Sequence, residues 1–277
     1  MTSTTIGGLR CHDWGGAPGA PALLLLHGFS DSGRCWVDAV DHWTTDFHVL
    51  TVDARGHGQS ERFTPSQLAS GPQAVMVEDI VQLLDSWPAL TGRPVALVGH
   101  SMGGGVACEV ALARPDRVAA VVLEDPALGP SDGTTAGHEG AVRREWGDAQ
   151  VAQLTRYAVD PAFATAEVAQ FVRTSPAVEA HEWLAAKHQT DLDMTAGGRI
   201  RPERPWRQAV AELTVPTLVV SGTREVIWEP QEWAALQACG NPVVETAVVD
   251  GADHCVRRTR PEGFYAVVDP WLHRHLR

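Results

Sequence analysis

Val95-Ala-Leu-Val-Gly99-His100-Ser101-Met102-Gly103-Gly104 reads as an apolar strand, a tight turn and the start of a helix. The run into Gly99 is uninterrupted by polar residues, and helical spacing takes over across Gly103–Ala113. Between them stands G-x-S-x-G. A sharp strand-to-helix turn holds the serine in a strained conformation, with its hydroxyl exposed at the end of the sheet, and glycines on either side remove side chains that would collide there. The helix that begins beside the serine aims backbone N–H groups at any negative charge developing nearby. In this context Ser101 is a candidate nucleophile rather than an incidental turn residue.

Outward from that stretch, short apolar runs alternate with helical stretches: Ala22–Leu26, Phe47–Val52, Val118–Leu123, Leu218–Ser221 and Val243–Val249 as strands, and Val75–Leu84, Glu232–Ala238 and Glu262–His273 as helices. Several strands lack period-two alternation, as expected where both faces of a parallel sheet are covered. From about Pro130 to Leu213 the rhythm changes to helical spacing with proline breakers, and the sheet resumes at Pro216. The expected architecture is an α/β core of residues 1–129 and 214–277 carrying a helical insert over 130–213.

Composition bounds the function. A chain of 277 residues needs no staple, since one of this size buries ~75% of its unfolded surface. The net charge of −12 disfavours nucleic acid and anionic membrane surfaces as partners. Five cysteines without a CxxC pair read as reduced thiols. No export signal or membrane-length apolar run is visible, so a cytoplasmic location is expected. His181-Glu182-Trp-Leu-Ala185 lacks the second histidine of a zinc-protease helix, and His181 with His188 is too small a ligand set; no metal is expected. The basic pairs Arg143-Arg144 and Arg257-Arg258 read as solvated.

Four motifs occur in order: His27-Gly28-Phe29, Asp53-Ala-Arg55-Gly56-His57-Gly58-Gln-Ser60, Gly99-His-Ser101-Met-Gly103 and Gly251-Ala-Asp-His254. On these the chain resembles the α/β-hydrolase superfamily, in its serine-nucleophile, esterase- or lactonase-like branch, from about Ala22 to the last helix outside the insert. The resemblance implies a mostly parallel sheet with helices on both faces and a helical cap where the insert lies. It also implies backbone oxyanion donors at Phe29 and Met102, and no cofactor.

Of the 12 histidines, His254 follows the last apolar strand in a glycine-rich loop, in the Ser…His order this fold uses, and is the expected general base. His27, His57 and His100 belong to loop motifs and are expected to shape turns. Two carboxylates compete to orient the imidazole. Glu225 follows the strand at Ser221, where most members of the superfamily have Asp. Asp125 ends the strand Val121-Val-Leu-Glu-Asp125, where haloalkane dehalogenases and zearalenone-type lactone hydrolases carry theirs. Residue type favours Asp125; Glu225 stays open, and Glu124 points to the other face.

Trp146, Trp183, Trp206 and Trp228 are expected to line the pocket and suit a small apolar ester or lactone. Alternatives on the same constellation are a C–C bond hydrolase, a cofactor-free haloperoxidase or perhydrolase, and a non-catalytic small-molecule receptor. A monomer or a homodimer is compatible with the sequence.

Overall fold

The computed structural model describes residues 1–131 and 136–276. Eight strands form one sheet: β1 (Thr2–Ile6), β2 (Leu9–Gly15), β3 (Ala22–Leu26), β4 (His48–Val52), β5 (Val95–His100), β6 (Val118–Glu124), β7 (Thr217–Ser221) and β8 (Val244–Val248). Their spatial order is β1-β2-β4-β3-β5-β6-β7-β8. The strands from β4 across to β8 are parallel, whereas β1 and β2 are antiparallel to each other and β2 is antiparallel to β4.

The uninterrupted apolar runs follow from burial on both faces. In β3, Leu24 and Leu26 enter one hydrophobic cluster while Leu23 and Leu25 enter the other; in β5, Leu97 and Ala96 divide the same way. One cluster packs beneath α3 (Pro72–Ser86) and α4 (Met102–Ala113). The opposite cluster packs beneath α1 (Val37–Trp43) and α12 (Pro261–His275). A short α2 (Pro65–Ser70) precedes α3. It is closed by a capping box in which the Thr64 hydroxyl takes the Gln67 N–H.

Between β6 and β7 the chain forms α5 (Ala136–Val159), α6 (Pro161–Thr174), α7 (Ala180–His188), α8 (Leu192–Gly197) and α9 (Trp206–Glu212). α10 (Pro230–Gln237) lies between β7 and β8, and the short α11 (Val256–Thr259) follows β8. The eight-stranded, mostly parallel sheet with flanking helices and a helical cap is the expected fold class.

The β1–β2 hairpin is the element the sequence reading lacked. Its strands are short of apolar residues, and β1 is largely exposed at the sheet edge. The available cue was Gly7-Gly8: both glycines have positive φ (58° and 84°), and Ile6 pairs with Leu9 across a two-residue turn.

Candidate active site

The carboxyl ends of the parallel strands carry the site. Among the described residues, four non-glycine residues have positive φ: Ser30 (56°), Ser101 (52°), Asp125 (35°) and Glu225 (48°). They stand just beyond β3, β5, β6 and β7 in turn. Such backbone costs on the order of 1–3 kcal/mol per residue and persists only where the surroundings over-determine it. Its concentration at the carboxyl ends of these strands marks that end of the sheet as the candidate site.

Ser101 sits between β5 and α4 with its N–H bonded to the Glu124 carbonyl (3.0 Å) and its carbonyl taking the N–H groups of Gly105 and Ala127 (3.1 and 2.8 Å). A Cβ on Gly99 would run into the backbone of Gly103, and one on Gly103 into the Leu26 carbonyl. The two flanking glycines are therefore required by close approach of β5, α4 and β3. Gly28 has a similar reason: a Cβ there would lie 2.6 Å from His100 Nδ1.

His254 Nδ1 donates to Asp125 Oδ2 at 2.6 Å. The carboxylate of Asp125 is fully buried and also takes the Ser221 hydroxyl (2.7 Å) and the Ile227 N–H (2.9 Å). This fixes the imidazole with Nδ1 protonated and leaves Nε2 for proton exchange. Glu225 is exposed on the cavity wall; the carboxylate that His254 meets is that of Asp125. Glu124 faces away, as expected, and its carboxylate takes the Arg257 N–H at 2.7 Å.

His100 packs its ring on His254 (centroids 4.7 Å apart) and donates from Nε2 to the His254 carbonyl at 3.2 Å. Burial, reinforced by the neighbouring His254, holds His100 well below the usual imidazole range, so it stays neutral. His27 takes the Ala54 N–H at Nε2 and gives Nδ1–H to the Gly28 carbonyl. These are the turn-shaping roles expected of loop histidines.

Ser101 and His254 open onto a cavity of about 670 Å³ walled by Phe29, Trp146, Trp183, Ile200, Val226 and Ile227, among others. Phe29 meets the Trp146 ring edge-on at 4.9 Å. Met102 is the first residue of α4, so its N–H has no intrahelical acceptor; its side chain is buried in the core rather than on the cavity wall. Trp206 and Trp228 correct the expectation for them. Neither lines the cavity; both are buried in the core cluster, packed edge-on at 5.2 Å, with Trp206 Nε1 donating to Glu232. Their large apolar area finds its place between α9 and the β7–α10 connection.

A second correction concerns Arg257 and Arg258, which are buried rather than solvated. Arg257 Nη1 and Arg258 Nε meet the two oxygens of Glu179 at 2.5 and 2.6 Å, and Arg258 Nη1 meets Asp31 at 3.0 Å. Lys187, on α7, lies 3.6 Å from Asp31 and donates to both the carbonyl and the hydroxyl of Ser30 at 2.9 Å. Burial opposes the charge on Asp31, but Arg258 and Lys187 overcome it and hold its carboxyl well below the usual carboxylate range. The network thus ties the Phe29–Asp31 loop, the loop after His254 and the inserted helices together. Its one visible cue in the sequence was the pair of arginines following His254.

Among the described residues, His100, Glu124 and Cys255 bring potential metal-ligand atoms within 4.8 Å of one another. The donor set suits a cation poorly. Burial pushes the Cys255 thiol up to about 12, and Arg257 and Arg258 place two positive charges beside it. His181 and His188 are both exposed. No helix among the described residues is long and apolar enough to cross a membrane.

A strained serine on a strand–turn–helix elbow, backed by a His–carboxylate pair at the next strand ends of a mostly parallel sheet, defines a class. A model of the alpha/beta hydrolase family matches residues 23–267, and the chain belongs to that family. It is 37% identical over 153 residues to lipase LipV of Mycobacterium tuberculosis, a match covering 55% of this chain and 51% of the lipase, so the matched stretch spans about half of that relative. The enol-lactonase of Burkholderia xenovorans superposes with a TM-score of 0.73 at 22% identity, over 98% of this chain and 100% of that one. A thermophilic esterase from Thermogutta terrifontis superposes with a TM-score of 0.73 at 24% identity, over 100% and 98%. The two structural likenesses are likenesses of fold.

Proposed function

We propose that the chain hydrolyses a carboxylic ester or lactone through an acyl-enzyme, with Ser101 as nucleophile, His254 as general base and Asp125 as orienting acid. The observation that carries this reading is the 2.6 Å bond from His254 Nδ1 to the buried Asp125 carboxylate, at the cavity onto which the strained Ser101 also opens. His254 Nε2 takes the Ser101 proton as Oγ attacks the carbonyl carbon, and Asp125 stabilises the imidazolium that forms. The tetrahedral oxyanion lies against the backbone N–H groups of Met102 and Phe29. Collapse expels the alkoxide, which receives the proton from His254. Water then attacks the acyl carbon with His254 again as base, and the acid leaves.

In this reading the helices of residues 130–213 act as a lid whose Trp146 and Trp183 face the acyl or alcohol group. Lipase LipV of Mycobacterium tuberculosis, 37% identical over 153 residues, supports an ester.

Hydrolysis of short- and medium-chain 4-nitrophenyl esters and of a lactone panel tests the proposal. Wild type turns over and Ser101→Ala does not. Asp125→Asn lowers kcat by up to about ten-thousand-fold, while Glu225→Gln stays within a few-fold. A fully active Asp125→Asn enzyme overturns the assignment of the acid.

A further inference from the structure

His100 is the last residue of β5 and the immediate neighbour of Ser101 along the chain. Its imidazole reaches two further loops. One ring edge lies against Gly28, where a Cβ would stand 2.6 Å from Nδ1 and 3.0 Å from Cε1. Gly28 directly precedes Phe29, the proposed oxyanion donor. At the other edge Nε2 donates to the His254 carbonyl at 3.2 Å, and the two imidazoles pack with centroids 4.7 Å apart and planes tilted by 46°.

The proton of His100 sits on Nε2, because the carbonyl oxygen it meets only accepts. Burial and the neighbouring His254 keep the ring from taking a second proton. His100 is therefore a neutral donor, buried and fixed in direction.

His254 needs such a hold. It stands in the connection between β8 and α11 rather than in either element, and its side chain is 36% exposed. The 2.6 Å bond to Asp125 fixes one ring atom, Nδ1, and leaves the ring free to swing about that bond. The His100 ring on one face and its bond to the backbone carbonyl take up that freedom. Misplacing a reacting group by ~1 Å costs about a hundred-fold in rate.

Resting on the hydrolase reading, we propose that His100 is a positioning residue, whose Nε2–H bond to the His254 carbonyl holds the general base in register with Ser101 and the Phe29 loop.

Two variants divide the ring from its donor. His100→Phe keeps an aromatic ring and loses the N–H, whereas His100→Gln keeps an N–H at the reach of Nε2 and loses the ring. With 4-nitrophenyl butyrate, His100→Phe lowers kcat by roughly ten- to hundred-fold while KM stays within about two-fold, and His100→Gln recovers part of the loss. A role in packing alone would spare His100→Phe and penalise His100→Gln. A kcat for His100→Phe within about two-fold of wild type, or a His100→Gln enzyme no faster than His100→Phe, overturns the proposal.

A spectroscopic arm separates its failure from that of the hydrolase reading. The His254 Nδ1–H bonded to Asp125 gives a low-field proton NMR resonance, identified by its absence in His254→Ala. A resonance kept in wild type and His100→Gln, but shifted or broadened away in His100→Phe, supports the hold on His254 even if no ester is turned over and the hydrolase reading falls. The same resonance unchanged in His100→Phe overturns that hold, even if wild type hydrolyses the ester well.

Discussion

His57 illustrates how a residue in a loop motif works for stability rather than chemistry. It is fully buried, its Nδ1 bonds the Arg55 carbonyl, and burial together with its neighbour His27 lowers its pKa to about 3. The folded protein therefore keeps His57 neutral, while the unfolded chain takes up a proton below about pH 6.5. The unfolded state binds more protons in that window, so stability is lost as pH falls from about 6.5 towards 3. A His57→Asn variant removes this uptake. Chemical denaturation at successive pH values is expected to show the gap between wild type and variant changing by up to ~1.4 kcal/mol per pH unit below 6.5. Parallel stability curves from pH 7 to 5 would contradict it.

The residue scale is also where sequence legibility was most uneven. Ser101 and His254 stand out because the chemistry proposed for them demands a turn with glycines and a fixed chain order. Between Asp125 and Glu225 residue type favours Asp125, but position along the chain does not separate them, since both follow strands ending at the same edge. The distinction lies in the Ser221 hydroxyl and the Ile227 N–H that converge on Asp125, contacts made across the fold rather than along the chain.

Among the elements, α7 has the most consequential placement. Its Lys187 reaches out of the insert to hold Ser30, whose φ of 56° is strained and which follows the proposed oxyanion donor Phe29. On the proposed mechanism Lys187 is a positioning residue: it holds the loop that carries the proposed oxyanion donor. Displacing such a loop by a fraction of an ångström is expected to slow chemistry more than binding. With a neutral ester, Lys187→Met should lower kcat by roughly ten- to hundred-fold, with KM changed far less, and Lys187→Arg should recover part of the loss. A rise in KM at constant kcat would instead assign Lys187 to substrate binding alone.

Strands were readable where both faces are buried, because every residue from Ala22 to Leu26 must then be apolar. The hairpin was not, because an edge strand such as Thr2–Ile6 buries little and follows no apolar pattern. Trp206 and Trp228 misled for a related reason. A large aromatic side chain in an insert suits a pocket wall and a core equally, and only packing of α9 against the core decides.

At the scale of the molecule, insert and sheet are joined by buried charge. Glu179 precedes α7 and is fully buried between Arg257 and Arg258 of α11, and Arg257 also stacks over the Trp36 ring at 4.2 Å. Removing one partner from a buried ion network leaves charge without compensation and costs about 3–5 kcal/mol. For a chain of this length that corresponds to a fall of roughly 10 °C in Tm for Glu179→Gln. Calorimetry is expected to show insert and core melting together in wild type. A Glu179→Gln protein with unchanged Tm would show that the network holds nothing.

The central claim is that Ser101 carries the acyl group. Wild-type protein mixed with 4-nitrophenyl butyrate, quenched in acid during turnover and mapped by mass spectrometry, tests it most directly. The account predicts one butyryl group on the peptide containing Ser101, absent in Ser101→Ala. A butyryl group on Cys255 instead, or turnover that persists in Ser101→Ala, would contradict it.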